Sequence, residues 1–320
     1  MKKGTIIALI VAVAMIITGG VILTLGLSFA GEPEQESKLI QQDITVPGTF
    51  DSILIDTQDC NVRFAMFSGR DDCMVQIREY ERANHSVVVE DGTLKIKMMD
   101  ERKWTDHISI FNVFGQSESM EMTVYLPAAE YESLQVRTDT GDITVGQEPV
   151  FREVLLRSNT GDIACVGISG DLLECMTSTG DITVQNSVPN MMKLQSNTGD
   201  FKVSVVAGDE IHMTTNTGEV NAQNVNARIF TCSTDTGDVE LEKILAEDYL
   251  QIFTDTGDVE IDGSDAGTVN IETDTGDVEG NFLTSKWFQA HSDTGNVTVP
   301  HTREGGECRI ESNTGDIHFE

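Results

Sequence analysis

Thr254-Asp255-Thr256-Gly257-Asp258-Val259 is one of ten copies of a single pattern in a chain of 320 residues, Ser/Thr-x-Thr-Gly-acidic-apolar. Its glycines are Gly141, Gly161, Gly180, Gly199, Gly218, Gly237, Gly257, Gly276, Gly295 and Gly315, with Asn296 standing once for the acid. A period of 19 or 20 residues held over nine intervals is the mark of a solenoid built one coil at a time.

Working outward from each glycine, apolar residues fall seven and five positions before it, as at Leu250 and Ile252, and two after it, as at Val259. Polar residues fill the places between. Alternation of period two on both sides of a turn predicts two half-buried strands flanking a tight corner. A variable return of six to eight residues then leads to the next coil. One such unit cannot bury its own apolar face, so coils must stack in register through parallel ladders. Parallel crossovers are right-handed almost without exception. The expected fold is therefore all-β: a right-handed parallel β-solenoid of about ten 19–20-residue coils. The glycine suits a corner that needs positive φ. The Ser/Thr three places before it shares the parity of the apolar positions, and its hydroxyl would bond corner backbone groups.

Residues 39–133 read as an irregular β cap region with degenerate coils, and 134–320 as the regular repeats. Within the cap, Asp56-Thr57-Gln58-Asp59-Cys60-Asn61-Val62 looks like a degenerate corner, with Cys60 in the glycine place and Asn61 in the acidic place. Val87–Val89 and Leu94–Lys97 flank Asp91-Gly92 and predict a hairpin. Met122–Pro127 predicts a strand leading into the first full coil. Between these lies a loop with Trp104, Phe111 and Phe114, which either covers the solenoid end or forms an exposed contact loop. The last coil, at Gly315, has no cap following it in sequence, so self-association through an uncapped C-terminal coil is an expectation.

Ahead of the cap, residues 1–31 read as a cytoplasmic N-terminus and transmembrane anchor, and 32–38 as a linker. Residues 5–30 carry no charge and would span about 39 Å as a helix, ample for a bilayer. Lys2 and Lys3 precede the run, which by the positive-inside rule places the rest of the chain outside the cytoplasm. The expected location is the cell membrane, single-pass. The competing reading is a signal peptide cleaved near Ser28-Phe29-Ala30, but its apolar run would be unusually long.

The formal charge is −32, with 53 acidic and 21 basic residues. Such a chain repels nucleic acid and anionic headgroups and favours cations, or cationic and neutral polymers. Acids recur at the corners, and stacked carboxylates about 4.8 Å apart could draw calcium along Asp235, Asp238, Asp255, Asp258, Asp274 and Asp277. The alternative is that each acid caps turn amides at its own corner. No cofactor is otherwise expected. The six cysteines show no zinc spacing; Cys165, Cys175, Cys232 and Cys308 fall on inward positions as small hydrophobes, and Cys60 with Cys73 is the one pair to test as a disulfide. The acids belong to the repeat rather than breaking it, and the six histidines are scattered, so no catalytic residues are assigned.

The apolar run, the Asp91-Gly92-Thr93-Leu94-Lys95-Ile96 hairpin, the Val124-Tyr125-Leu126-Pro127 strand and the serial Thr-Gly-Asp-Ile/Val corners together resemble the bacterial putative-adhesin family, a domain of unknown function, over nearly all of residues 40–320. The resemblance implies a cell-envelope β-solenoid that acts as an adhesin or scaffold on cell-surface glycans or proteins, without catalysis. The alternative it implies is a sensor or accessory module of an envelope-stress system; a polysaccharide-active enzyme is the third reading.

Overall fold

Apolar residues on both sides of every glycine need a shared interior, and the chain supplies it by winding. The computed structural model describes residues 39–66, 71–81, 83–100 and 119–320. All regular structure among them is β-strand, 23 strands joined into a β-solenoid of about nine turns. No helix of the described residues is long and apolar enough to cross a membrane. The expected anchor, residues 5–30, lies outside them, as do Trp104, Phe111 and Phe114.

A full coil, as at Gly257, has three sides rather than two and a loose return. In the Gly257 coil the first side buries Leu250, Ile252 and Thr254, and the second Val259 and Ile261. The third side buries Ser264 and Ala266. Neighbouring coils stack like on like: Leu250 faces Val269, Ile252 faces Ile271 and Val259 faces Val278 in parallel ladders.

Two corners set this shape. At the first, Gly237 has φ 148° and a Cβ there would overlap the carbonyl of Gly218, so both backbone and space demand glycine. The inward Ser/Thr three places earlier donates to the glycine carbonyl of the neighbouring coil, as Thr234 does to Gly218 at 3.1 Å and Ser158 to Gly141 at 3.1 Å. The second corner, six places after the glycine, is left-handed in six coils: Gly167, Asn186, Val205, Asn224, Lys243 and Gly263, with φ between 49° and 71°.

The cap strands are β1 (Leu39–Val46), β2 (Ser52–Asp56), β3 (Cys60–Met66), β4 (Cys73–Tyr80), β5 (Ala83–Glu90), β6 (Thr93–Asp100) and β7 (Met120–Leu126). β2 and β3 make the expected degenerate coil: β2 pairs with Glu130–Thr140 and β3 with Ile143–Val145. β6 and β7 lie on its other side as a further parallel layer. β5 turns into β6 at Asp91-Gly92, both with positive φ, the geometry that suits the twist of a hairpin. β4 then covers β7, and β1 covers β4, both antiparallel.

At the far end the order of coils departs from the order of sequence. The first strand of the Gly276 coil pairs not with Lys286–Thr294 but with Gly306–Thr314, which in turn pairs with Lys286–Thr294. The second side repeats this, since Val278 faces Ile317 and Ile317 faces Val297. The C-terminal coil is therefore slotted between its two predecessors, and the Gly295 coil is outermost. This corrects the expectation that the Gly315 coil is the uncapped end. Lys286 helps to hold the outer coil down. Its buried ammonium donates to Asp265, to the carbonyl of Ala266 at 2.6 Å and to Thr284 at 3.2 Å. It reaches past Gly306, its register neighbour in the slotted coil. Phe282, Phe288 and Phe319 cluster inside this end, with ring centroids 5.2 to 6.2 Å apart.

Candidate functional site

The corner acids form a ladder in two runs. Asp142 Oδ1 accepts the backbone N–H of Asp162 at 2.9 Å, Asp162 that of Asp181 at 2.8 Å, and Asp181 that of Asp200 at 2.9 Å. Asp200 accepts from Glu219 N at 2.9 Å, where this run ends; a second run joins Asp238, Asp258 and Asp277 to the amides of Asp258, Asp277 and Asp316 at 2.7 to 2.9 Å. Asn61 begins the row by accepting from Asp142 N at 2.9 Å, the role its place in the degenerate corner implies. The carboxylates thus cap amides of the next coil, not of their own corner.

The six calcium candidates separate into two columns. Asp238, Asp258 and Asp277 lie one place after the glycine and spend one oxygen on the ladder, while Asp235, Asp255 and Asp274 are exposed two places before it. A shallow groove of about 220 Å³ runs beside the first column, lined by those three aspartates and by Glu240, Glu260 and Glu279. Among the described residues no group of three or more His, Cys, Asp or Glu side chains converges as a metal centre requires. Glu219 replaces Asp in this row, and its carboxyl is held above its ordinary range, first by desolvation and then by Glu240, Asp200 and Asp238.

Nine places before the glycine, two runs of three coils alternate in sign, Glu132-Arg152-Asp171 and Asp209-Arg228-Asp248. Arg152 bonds Glu132 at 3.1 Å and Asp171 at 2.6 Å, in the coils on either side. Arg228 likewise bonds Asp209 at 2.9 Å and Asp248 at 3.1 Å. Arg152 is exposed and Arg228 half-buried, and both organise the outer surface.

Sequence reasoning missed one polar constellation. In the cap, Glu79 Oε2 lies 2.7 Å from His85 Nδ1 and also accepts the His85 backbone N–H at 2.8 Å. His85 Nε2 lies 2.7 Å from Thr57 Oγ1. Hydroxyl, imidazole and carboxylate in series is the order of a nucleophile, its base and an orienting acid. Yet all three residues are buried, and a nucleophile needs an approach for substrate. Their geometry instead ties the degenerate corner at Thr57 to β4 and β5. No signal in the sequence joins Thr57, in the corner between β2 and β3, to Glu79 on β4 and His85 on β5, 22 and 28 residues away.

The thiols are equally shielded. Burial pushes Cys60, Cys73, Cys232 and Cys308 up to about 12, far from the thiolate that reactivity needs. Cys60 aligns with Met120 at one end of β7, whereas Cys73 lies beyond Met74, which faces Tyr125 near the other. Six residues of strand, about 20 Å, separate those ends, too far for a disulfide. Cys165 and Cys175 do meet across the core, with Sγ atoms 3.8 Å apart.

A family model described as Toastrack DUF4097 matches residues 50–242 and 209–320. No curated protein matches this chain. Among solved structures, a "putative lipid binding protein" of Parabacteroides distasonis is 16% identical over 77% of this chain and 97% of that one, with a TM-score of 0.52. A "putative adhesin" of Bacteroides fragilis is 15% identical over 89% of this chain and 98% of that one, with a TM-score of 0.44. Another from Parabacteroides distasonis is 11% identical over 89% and 98%, with a TM-score of 0.47. At such identities the likeness to the first is one of fold alone.

Proposed function

The chain belongs to the Toastrack DUF4097 family, and from that premise we propose that it is a non-catalytic, membrane-anchored extracytoplasmic rod, an adhesin or cell-surface scaffold. The observation that carries this reading is the in-register surface. The outward Thr and the acid of each Thr-Gly-acidic corner recur from coil to coil in the parallel ladders, so one weak contact is offered many times along that edge, and weak contacts in series add through avidity. The corner carboxylates, spent on neighbouring amides, and the buried Glu79–His85–Thr57 series support a role without catalysis. Residues 5–30 supply the proposed anchor.

The test uses the full-length chain in detergent, probed against glycan and cell-surface panels with calcium and with chelator. Binding to an extended glycan or surface polymer, weakening steeply as the polymer is shortened, is the expected result. Silence on every panel would sink the adhesin reading and leave the envelope-stress alternative, which requires the anchor but no external polymer. Resistance of the chain to carbonate extraction from membranes, with release by detergent, checks the anchor separately.

A further inference from the structure

The Gly295 coil has a neighbour on one side only. Among the described residues, Lys286–Thr294 pairs in a ladder with Gly306–Thr314 alone, and Val297–Thr298 with Ile317–Phe319 alone; Thr302 Oγ1 also donates to the Lys286 carbonyl. The side chains register the same gap. Val297 is 41% exposed, although the equivalent residue is buried in the nine other coils, and inward-facing Phe288 and Ala290 are only half covered. A nine-residue strand in unbroken register, without proline, is an unblunted edge. Its one inward charge, Lys286, is already committed to Asp265.

Charge says what can cover it. The Gly257 coil, residues 244–262, carries six acids (Glu247, Asp248, Asp255, Asp258, Glu260 and Asp262) and no lysine or arginine. Residues 281–305 of the outer coil carry Lys286 and Arg303 against Asp293 and Glu304, a net charge of zero in a chain of −32. Its corner acid is replaced by Asn296, whose amide donates to Asp316 at 3.3 Å. Two copies of so acidic a rod repel along their sides, but not where these ends meet. The opposite end closes on antiparallel β4 and β5, so a head-to-tail contact would not continue the coil ladder.

We propose that the protein forms a two-fold, end-to-end dimer in which Lys286–Thr294 pairs antiparallel with the same strand of a second copy. Inward residues must meet inward residues for the core to run on, which restricts the two-fold to a residue rather than a gap between residues. Overlap of all nine residues centres it on Ala290. Phe288 then faces Ser292, Gln289 faces His291 and Trp287 faces Asp293, and no like charges are opposed. The contact is isologous and closed, and it does not depend on what the side faces bind.

Sedimentation equilibrium of the full-length chain in detergent tests this through outward, solvent-facing residues. The wild type is expected to show a reversible monomer–dimer equilibrium. Gln289→Glu with His291→Glu sets acids opposite acids and should weaken it at least tenfold. Gln289→Lys with His291→Glu sets opposite charges face to face and should restore dimerisation to about the wild-type level. Unchanged melting curves confirm that both variants fold. A wild type that stays monomeric at about 100 µM, or a doubly acidic variant that dimerises as well as the wild type, would overturn the proposal.

Discussion

At Val205 the backbone sits at φ 56° with the side chain 54% exposed. A β-branched residue gains nothing there, since left-handed backbone crowds its Cβ at a cost of about 1–2 kcal/mol. Asn186 and Asn224 occupy the same corner in the coils on either side, and asparagine tolerates this conformation. Val205→Asn is therefore expected to stabilise the protein by about 1 kcal/mol in urea denaturation, with no change in the slope against urea. Glu219 makes a second case. Its carboxyl is held above the ordinary range, so the folded state ionises it less readily than the unfolded chain. The resulting destabilisation is absent below the unfolded pKa and grows as pH rises through it. Glu219→Gln should raise the melting temperature at pH 7, by an amount kept small by solvent screening, and the gain should vanish near pH 3. A gain that persists at low pH would rule out the charge origin.

The elements were legible from the sequence where large apolar side chains mark them. Leu250, Ile252 and Val259 announce the first two sides of their coil, and the Thr-Gly-Asp corner between them is unambiguous. The third side was not legible because it has only two inward places in a coil: the first is apolar in some coils (Ile168, Val206, Val225, Ile244) but serine in others (Ser187, Ser264), and the second is small (Ala227, Ala246, Ala266), too short and mixed for a periodic signal. The left-handed corner was hidden likewise, since glycine, asparagine, valine and lysine share no side-chain chemistry. Coil order is a third gap, because coils in one register present nearly the same ladder to any neighbour. The slotted C-terminal coil leads to a specific expectation. Deleting residues 306–320 should leave Lys286–Thr294 without its ladder partner among the described residues, and strip Phe319 from Phe282 and Phe288. Hydrogen exchange should then show amides 286–298 losing protection while the Gly237 and Gly257 coils keep theirs. If coils stacked in sequence order, amides 286–298 would stay protected against the Gly276 coil.

At the scale of the whole molecule, 53 acids against 21 bases make self-repulsion a standing opponent of the folded rod. The rod answers it locally, with aspartates capping amides along one row and Arg152 and Arg228 clipping acids in adjacent coils along another. Neither device calls for an ion. Sodium chloride alone should therefore raise the melting temperature by screening, most steeply between low and physiological ionic strength. Calcium separates this from a specific ladder. If the acids from Asp235 to Asp277 act only as a diffuse charge, millimolar calcium and millimolar magnesium should give equal shifts at matched ionic strength. A calcium site would favour the larger, more tolerant ion, and binding to the folded state alone would stabilise it in proportion to the logarithm of calcium concentration. The geometry favours the first outcome. One oxygen of Asp238, Asp258 and Asp277 is already engaged by a backbone N–H, and no third ligand converges on the other among the described residues. A calcium shift several degrees above the magnesium shift, abolished by Asp258→Asn, would establish the site instead.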